Sequence, residues 1–223
     1  MKKTVLITGA SKGIGRALAE KMLSEDYKII GTSRSGQIDI DHENFKALSL
    51  DVSNASSIEK AHQAIFKTIK QIDILINNAG VGPDLGNTIP DKKSYDLTFE
   101  VNLKGLVFFT EPLIELVKKK GKIINVSSKL GSLDHCQTST SIAYRMSKSA
   151  LNMYTKVLSN RLSNTIKVAS IHPGWVQTTI QKSNLINAPL TPEESAERIY
   201  RFITSEFRSG IYWDCEDDIE LSW

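Results

Sequence analysis

Seven short apolar runs alternate with longer amphipathic stretches along the chain, and this alternation limits the architectures open to it. The runs are VLIT (5–8), KIIGT (28–32), KALSL (46–50), DILIN (73–77), KIINVS (122–127), IKVASI (166–171) and GIYW (210–213). A strand that is apolar throughout, with no polar alternation, is buried on both faces. Helical patterns fill the intervals at 13–24, 55–69, 93–119 and 142–161. A last helix opens at Thr191, with Pro192 at its first position and Glu194 placed to close a capping box. Strands joined by helices imply a parallel sheet covered on each side, and right-handed crossovers make it doubly wound. The expectation is one α/β domain over 1–223, with a seven-stranded parallel sheet and helices on both faces.

Composition removes several alternatives. With 223 residues, 40% of them hydrophobic, the chain can bury a core without disulfides. Cys136 and Cys215 stand far apart, so a reducing compartment and no metal site are expected. A net charge of +3 is too small to argue for nucleic acid. No apolar run reaches the ~18–20 residues of a membrane span. The apolar run in MKKTVLITGA is about five residues, shorter than a signal-peptide core. It reads as a buried strand of a cytoplasmic protein. Lys118, Lys119 and Lys120, before Gly121, read as the cationic end of the helix at 93–119.

Ligands of such sheets sit at the C-terminal ends of the strands. After the first run comes TGASKGIG (8–15), with Gly9, Gly13 and Gly15 around Ser11, Lys12 and Ile14. A glycine turn opening a helix lets backbone N–H groups approach a pyrophosphate, although a plain tight turn has the same composition. After the second run stand Ser33 and Arg34, with no carboxylate before Asp39. An acid here would grip a ribose 2′-hydroxyl, whereas cations fit a 2′-phosphate, and Lys12 adds a second one. The pattern favours NADP(H) over NAD(H), against the alternative of two solvated cations. Asp51 and Val52 follow the third run, where Asp51 serves an adenine amino group or caps the next helix in competition with Ser53 and Asn54. Asn78, Ala79 and Gly80 follow the fourth, Ser127 and Ser128 the fifth, and His172, Pro173 and Gly174 the sixth. His172 and Ser127 read as structural. Tyr144 and Lys148, four apart in AYRMSK (143–148), project from one helical face. A nearby ammonium favours phenolate, so Lys148 is expected to lower the tyrosine from its usual ~10. Arg145 is expected on a solvated face.

Taken in order, TGASKGIG, Asp51–Val52, NNAG (77–80), Asn102 in EVNLKG, Ser128 in NVSS, Tyr144-x-x-x-Lys148 and Pro173–Gly174 resemble the classical short-chain dehydrogenases/reductases. NVSSKLGS, YRMSKSALNM and HPGWVQT are similar to a small carbonyl-reductase branch that includes C-factor and Sniffer. The resemblance implies a Rossmann fold and NADPH-dependent reduction of a small aldehyde or ketone, or oxidation of the alcohol. It implies Tyr144 as general acid/base, Lys148 on the nicotinamide ribose, Ser128 on the substrate oxygen and Asn102 holding a water. Val176 and Thr178 join the cofactor contacts in the same way. Relatives that pair the helices near 93–119 and 142–161 imply a homodimer or homotetramer. C-factor-like relatives imply the alternative of an NADP(H)-binding signalling protein with little turnover, and an isomerase or dehydratase is a third reading. Two departures stand out. Sixteen positions separate Ser128 from Tyr144, which lengthens the polar loop 131–141, and only the short segment 181–190 precedes the last helix. The second departure implies an open substrate site.

Overall fold

The computed structural model describes residues 2–163 and 165–223. Its elements are β1 (Thr4–Ile7), α1 (Gly13–Ser24), β2 (Lys28–Ser33), β3 (Phe45–Ser49), α2 (Ala55–Thr68), β4 (Ile72–Asn77), α3 (Lys92–Phe99) and α4 (Leu106–Leu113). Then follow β5 (Val117–Val126), α5 (Ile142–Leu162), β6 (Lys167–His172), α6 (Asn184–Asn187), α7 (Pro192–Thr204), β7 (Ile211–Asp214) and β8 (Ile219–Glu220). One sheet runs in the order β3-β2-β1-β4-β5-β6-β7-β8. The first seven strands are parallel to their neighbours, and β8 returns antiparallel against β7. The Rossmann-type α/β fold is therefore as expected, with one short strand added by the acidic tail. Two residues are too few for any periodicity, and a turn through Asp218 at φ 58° makes the return.

Alternation along the strands builds two cores. Val5, Ile7, Ile29, Ile76 and Ile171 face α1 and α7, against Leu18, Met22, Ile199 and Phe202. Leu6, Ile30, Leu75, Ile123 and Val168 face the other way, against Ile58 and Ile65 of α2, Phe109 of α4 and Leu158 of α5. The edge strand β3 departs from the two-face expectation: Lys46 and Ser49 are exposed and its other residues half-buried.

The pattern at 93–119 is not one helix. A π-helical turn, Glu100–Gly105, separates α3 from α4, and a 3₁₀ turn, Ile114–Leu116, leads directly into β5. Lys118, Lys119 and Lys120 thus lie in a strand, not at a helix end. Lys118 pairs with Asp73 of β4, and Lys120 takes φ 68° where the strand slips register past β4. The capping box at α7 is present as read, with Thr191 and Glu194 exchanging side-chain bonds to each other's backbone N–H. Among the described residues no helix is long and apolar enough to cross a membrane.

Candidate active site

Strand order reverses at β1 and β4, which opens a crevice at their C-terminal ends. A cleft of about 1180 Å³ lies there. Its floor is fixed by Thr8, whose hydroxyl accepts the N–H groups of Asn78 and Ala79 at 2.9 and 3.0 Å. The Asn78 amide donates in return to the carbonyls of Thr8 and Gly9. The glycine turn and NNAG therefore form one welded unit.

Gly9 has φ 69°, and a Cβ at Gly15 would lie 2.3 Å from the Gly9 carbonyl oxygen. Side chains are excluded from this turn on both counts. At the start of α1, Lys12 is extended and makes no side-chain cap, which leaves first-turn N–H groups for an anion. The cradle fits a pyrophosphate. Lys12 and Arg34 are exposed and line the same cleft, while Asp39 lies outside it beside a separate depression with Arg16 and His42. The charge at the end of β2 is therefore positive, which suits a 2′-phosphate. The Ser33 hydroxyl donates to the Gln37 carbonyl at 3.1 Å and closes the turn that presents Arg34. Asp51 accepts from Ser53 and stays at the cleft, since Asn54 is the residue that caps α2.

Gly9, Ser11, Lys12, Gly13, Ile14, Gly15, Ser33, Arg34, Asp51, Val52, Asn78, Ala79, Gly80, Ser128, Tyr144, Lys148, Pro173, Gly174, Val176 and Thr178 all line this one cleft. Asn102 does not. It is fully buried in the π-helical turn, where its amide clamps Val81, accepting from its N–H and donating to its carbonyl, both at 2.8 Å. A Cβ placed on Gly80 would lie 3.4 Å from Asn102 Oδ1 and 3.7 Å from Lys148 Nζ, so the two side chains face one small space.

Tyr144 and Lys148 are both buried, with Lys148 Nζ 5.6 Å from the centre of the phenol ring. Nζ donates to the Val126 carbonyl at 2.9 Å. Here the structure corrects the sequence expectation. Burial pushes the phenol up to about 12, against a partial pull from the Ser128 hydroxyl. The same burial pushes the Lys148 ammonium down to about 8. Desolvation penalises whichever form is charged, and it is the largest cause of both shifts. Tyr144 is accordingly a neutral phenol near neutrality.

Arg145 is not on a solvated face. Its guanidinium donates to Thr140 O at 3.0 Å and Thr138 Oγ1 at 2.7 Å, strapping the loop 131–141 to α5. The same loop is tied to the end of the chain: Leu133 N–H donates to Trp223 O at 3.1 Å and Ser132 Oγ to Ser222 O at 2.8 Å. Trp223 stacks on Tyr212, whose hydroxyl donates to the Ser128 carbonyl. The short segment 181–190 leaves the site less open than its length implies, since Gln181 Nε2 reaches Leu85 O at 3.3 Å on the opposite wall. No sequence signal marked Tyr212 or Glu216, and Glu216 lines the cleft and accepts the Trp175 N–H at 3.0 Å.

Tyr212→Phe is expected to remove one of two hydrogen bonds to the Ser128 carbonyl, which keeps the Gly131 N–H at 2.7 Å, at about 0.5–1.5 kcal/mol. Thermal melting reads the loss, and kcat falls with it as Ser128 loosens.

The short chain dehydrogenase family model matches residues 3–188. The 3-oxoacyl-[acyl-carrier-protein] reductase FabG of Vibrio cholerae is 31% identical over 189 residues, 81% of this chain and 76% of that protein. Carbonyl reductase Sniffer of D. melanogaster superposes with a TM-score of 0.86 at 26% identity, covering 100% of both chains. A structure described as a short-chain dehydrogenase/reductase from Burkholderia multivorans with bound NADP gives a TM-score of 0.88 at 25% identity, again covering 100% of both chains. Sequence and fold agree with the site, and the chain belongs to the classical short-chain dehydrogenase/reductase family of oxidoreductases, on its carbonyl reductase branch.

Proposed function

We propose that the protein is an NADPH-dependent reductase of small aldehydes or ketones, with Tyr144 giving the proton to the carbonyl oxygen. The observation that carries this reading is a buried phenol in the same cleft as Ser128, Lys148, the glycine turn and the cations Lys12 and Arg34. NADPH, when bound, supplies the hydride. The turn Gly9–Gly15 takes the pyrophosphate, with Ser11 and Ile14 in its wall, and Lys12, Ser33 and Arg34 take the 2′-phosphate. Asp51 and Val52 serve the adenine. Asn78, Ala79, Gly80, Pro173, Gly174, Val176 and Thr178 line the nicotinamide half, and Lys148 holds its ribose.

Ser128 Oγ accepts the Leu130 N–H at 3.2 Å, and its hydroxyl, which also reaches the phenol, can turn to donate to a substrate oxygen gaining charge. Tyr144 then protonates that oxygen. An alkoxide is far more basic than phenolate even with the phenol at about 12, so the transfer runs downhill. Oxidation needs the phenolate, which is scarce near neutrality, and reduction is the favoured direction. Lys148, titrating at about 8, returns a proton across the space beside Gly80 that Asn102 also faces. In this reading 1–223 acts as one domain, because the last residues brace the loop after Ser128. Free Cys136 and Cys215 and the use of NADPH fit the cytoplasm.

Met146, Met153 and Val157, spaced seven and four apart, form an exposed apolar stripe on α5, and Phe108 of α4 is itself 61% exposed. Such a stripe on a helix face calls for a partner, and a second copy in a homodimer or homotetramer is the partner proposed. Met153→Glu combined with Val157→Glu is expected to shift sedimentation to the monomer. A wild type that already sediments as a monomer would contradict the pairing.

The direct test of the reading is NADPH consumption over a panel of aldehydes, ketones and diketones. Turnover on members of the panel is expected. Tight NADPH binding with no consumption across the panel would count against the reductase and for a cofactor-dependent signalling role.

A further inference from the structure

The loop between β4 and α3 carries a carboxylate that the mechanism above does not use. Asp84 is 1% exposed. Its Oδ2 accepts the Ala143 N–H at 2.8 Å, and both oxygens lie 3.2 Å from the backbone nitrogen of Tyr144. First-turn N–H groups of a helix have no partner within it. Ser141, where the cap of α5 belongs, takes φ 63° and makes no side-chain cap. Instead the Ser141 hydroxyl accepts the Gly86 N–H at 3.0 Å, and its own N–H donates to Asn87 O at 2.8 Å. The start of α5 is thus fastened by a distant loop rather than by its own sequence. That loop is also the cleft wall: a Cβ on Gly82 would lie 3.2 Å from Tyr144 Cδ2, and Leu85 lines the cleft.

We propose that Asp84 is a positioning residue for Tyr144, fixing the first turn of its helix and holding a carboxylate against the backbone that carries the phenol. The inference rests on Tyr144 being the proton donor. An ordinary cap comes from the residue that opens the helix, whereas here a buried carboxylate from a distant loop accepts the N–H of the very residue whose ionisation matters. That charge and burial act in the same direction on Tyr144, both opposing phenolate. Lys148 on the same helix, Tyr212 on β7 and the Ser128 hydroxyl are the other groups around the phenol. Lys129, His135, His172 and Glu216 line the cleft it faces. All of these are unchanged in an Asp84 variant.

The test is the pH profile of alcohol oxidation, whose rising limb follows phenolate, in the wild type, Asp84→Asn and Asp84→Glu. Asparagine keeps one acceptor and removes the charge. The midpoint of the limb is expected to fall by about half a pH unit or more in Asp84→Asn. Oxidation below the midpoint then rises about threefold relative to its plateau. Asp84→Glu is expected to return the limb toward its wild-type position. A limb unmoved in Asp84→Asn, with only the plateau or the melting temperature lowered, would reduce Asp84 to a plain cap. The amides of Ala143 and Tyr144 in the wild-type protein give a second readout that needs no variant. They are expected to exchange slowly, and fast exchange would overturn the fastening. Tyr144→Phe separates the two ideas: if it still turns over, the proton-donor reading fails whatever Asp84 does.

Discussion

Tyr144→Phe is expected to lower kcat for carbonyl reduction by about 10²–10⁴, the usual contribution of a positioned proton donor. NADPH affinity and melting temperature should stay close to wild type. The ring is buried against Gly82 and above Lys148, and phenylalanine preserves that packing. Only the hydroxyl is lost, and with it the proposed proton donor. Parallel single-turnover and binding measurements distinguish this from a folding defect. A variant with wild-type kcat would mean that the proton comes from elsewhere, with Lys129, His135, His172 and Glu216 among the other titratable cleft residues to examine.

Arg34→Glu is expected to invert the cofactor preference. The wild-type site presents Arg34 and Lys12 to the end of the cleft and holds Asp39 outside it. A charge-assisted hydrogen bond contributes about 1.5–3 kcal/mol, so losing one lowers kcat/KM for NADPH roughly 10- to 100-fold. The introduced carboxylate repels a 2′-phosphate and accepts from a 2′-hydroxyl, so NADH should gain. The ratio of kcat/KM for the two cofactors reads the result. Should the ratio not move, the cations are only solvated surface, and the selectivity lies in the turn closed by Ser33.

Much of this site could be read from the sequence because strand ends impose order on it. The glycine turn, NNAG, Ser128, the Tyr144–Lys148 pair and Pro173–Gly174 each follow a strand or ride one helix face, and the fold carries them to one cleft. What the sequence concealed falls into two kinds. Long-range partners leave no local pattern: Asp84 reaches α5, Tyr212 reaches Ser128, and the end of the chain reaches the loop at 131–141. Buried polar ladders are equally silent, as where Asn77 donates to Asn125 and Asn125 to Thr155 across three elements. The other kind is a balance of opposing effects. Helical spacing correctly placed Lys148 beside Tyr144, but proximity alone does not give the sign of a pKa shift when both groups are desolvated. The stretch 93–119 was not concealed but misread. Its apolar spacing continues through a π turn and a 3₁₀ turn into a strand, and that spacing masks the breakers Gly105, at the end of the π turn, and Pro112, just before the 3₁₀ turn. The π turn that broke the pattern is the one that holds Asn102 against Val81.

The central claim is that hydride leaves NADPH for a carbonyl carbon in this cleft. The most direct measurement uses NADPH deuterated at its transferable position, with an aldehyde or ketone that the panel shows to be consumed, and mass spectrometry of the products. The account predicts an alcohol carrying one deuterium on the former carbonyl carbon, formed in step with oxidised cofactor. Product formed with all deuterium retained in the cofactor would contradict it, and would mean that the scaffold isomerises or dehydrates its substrate instead.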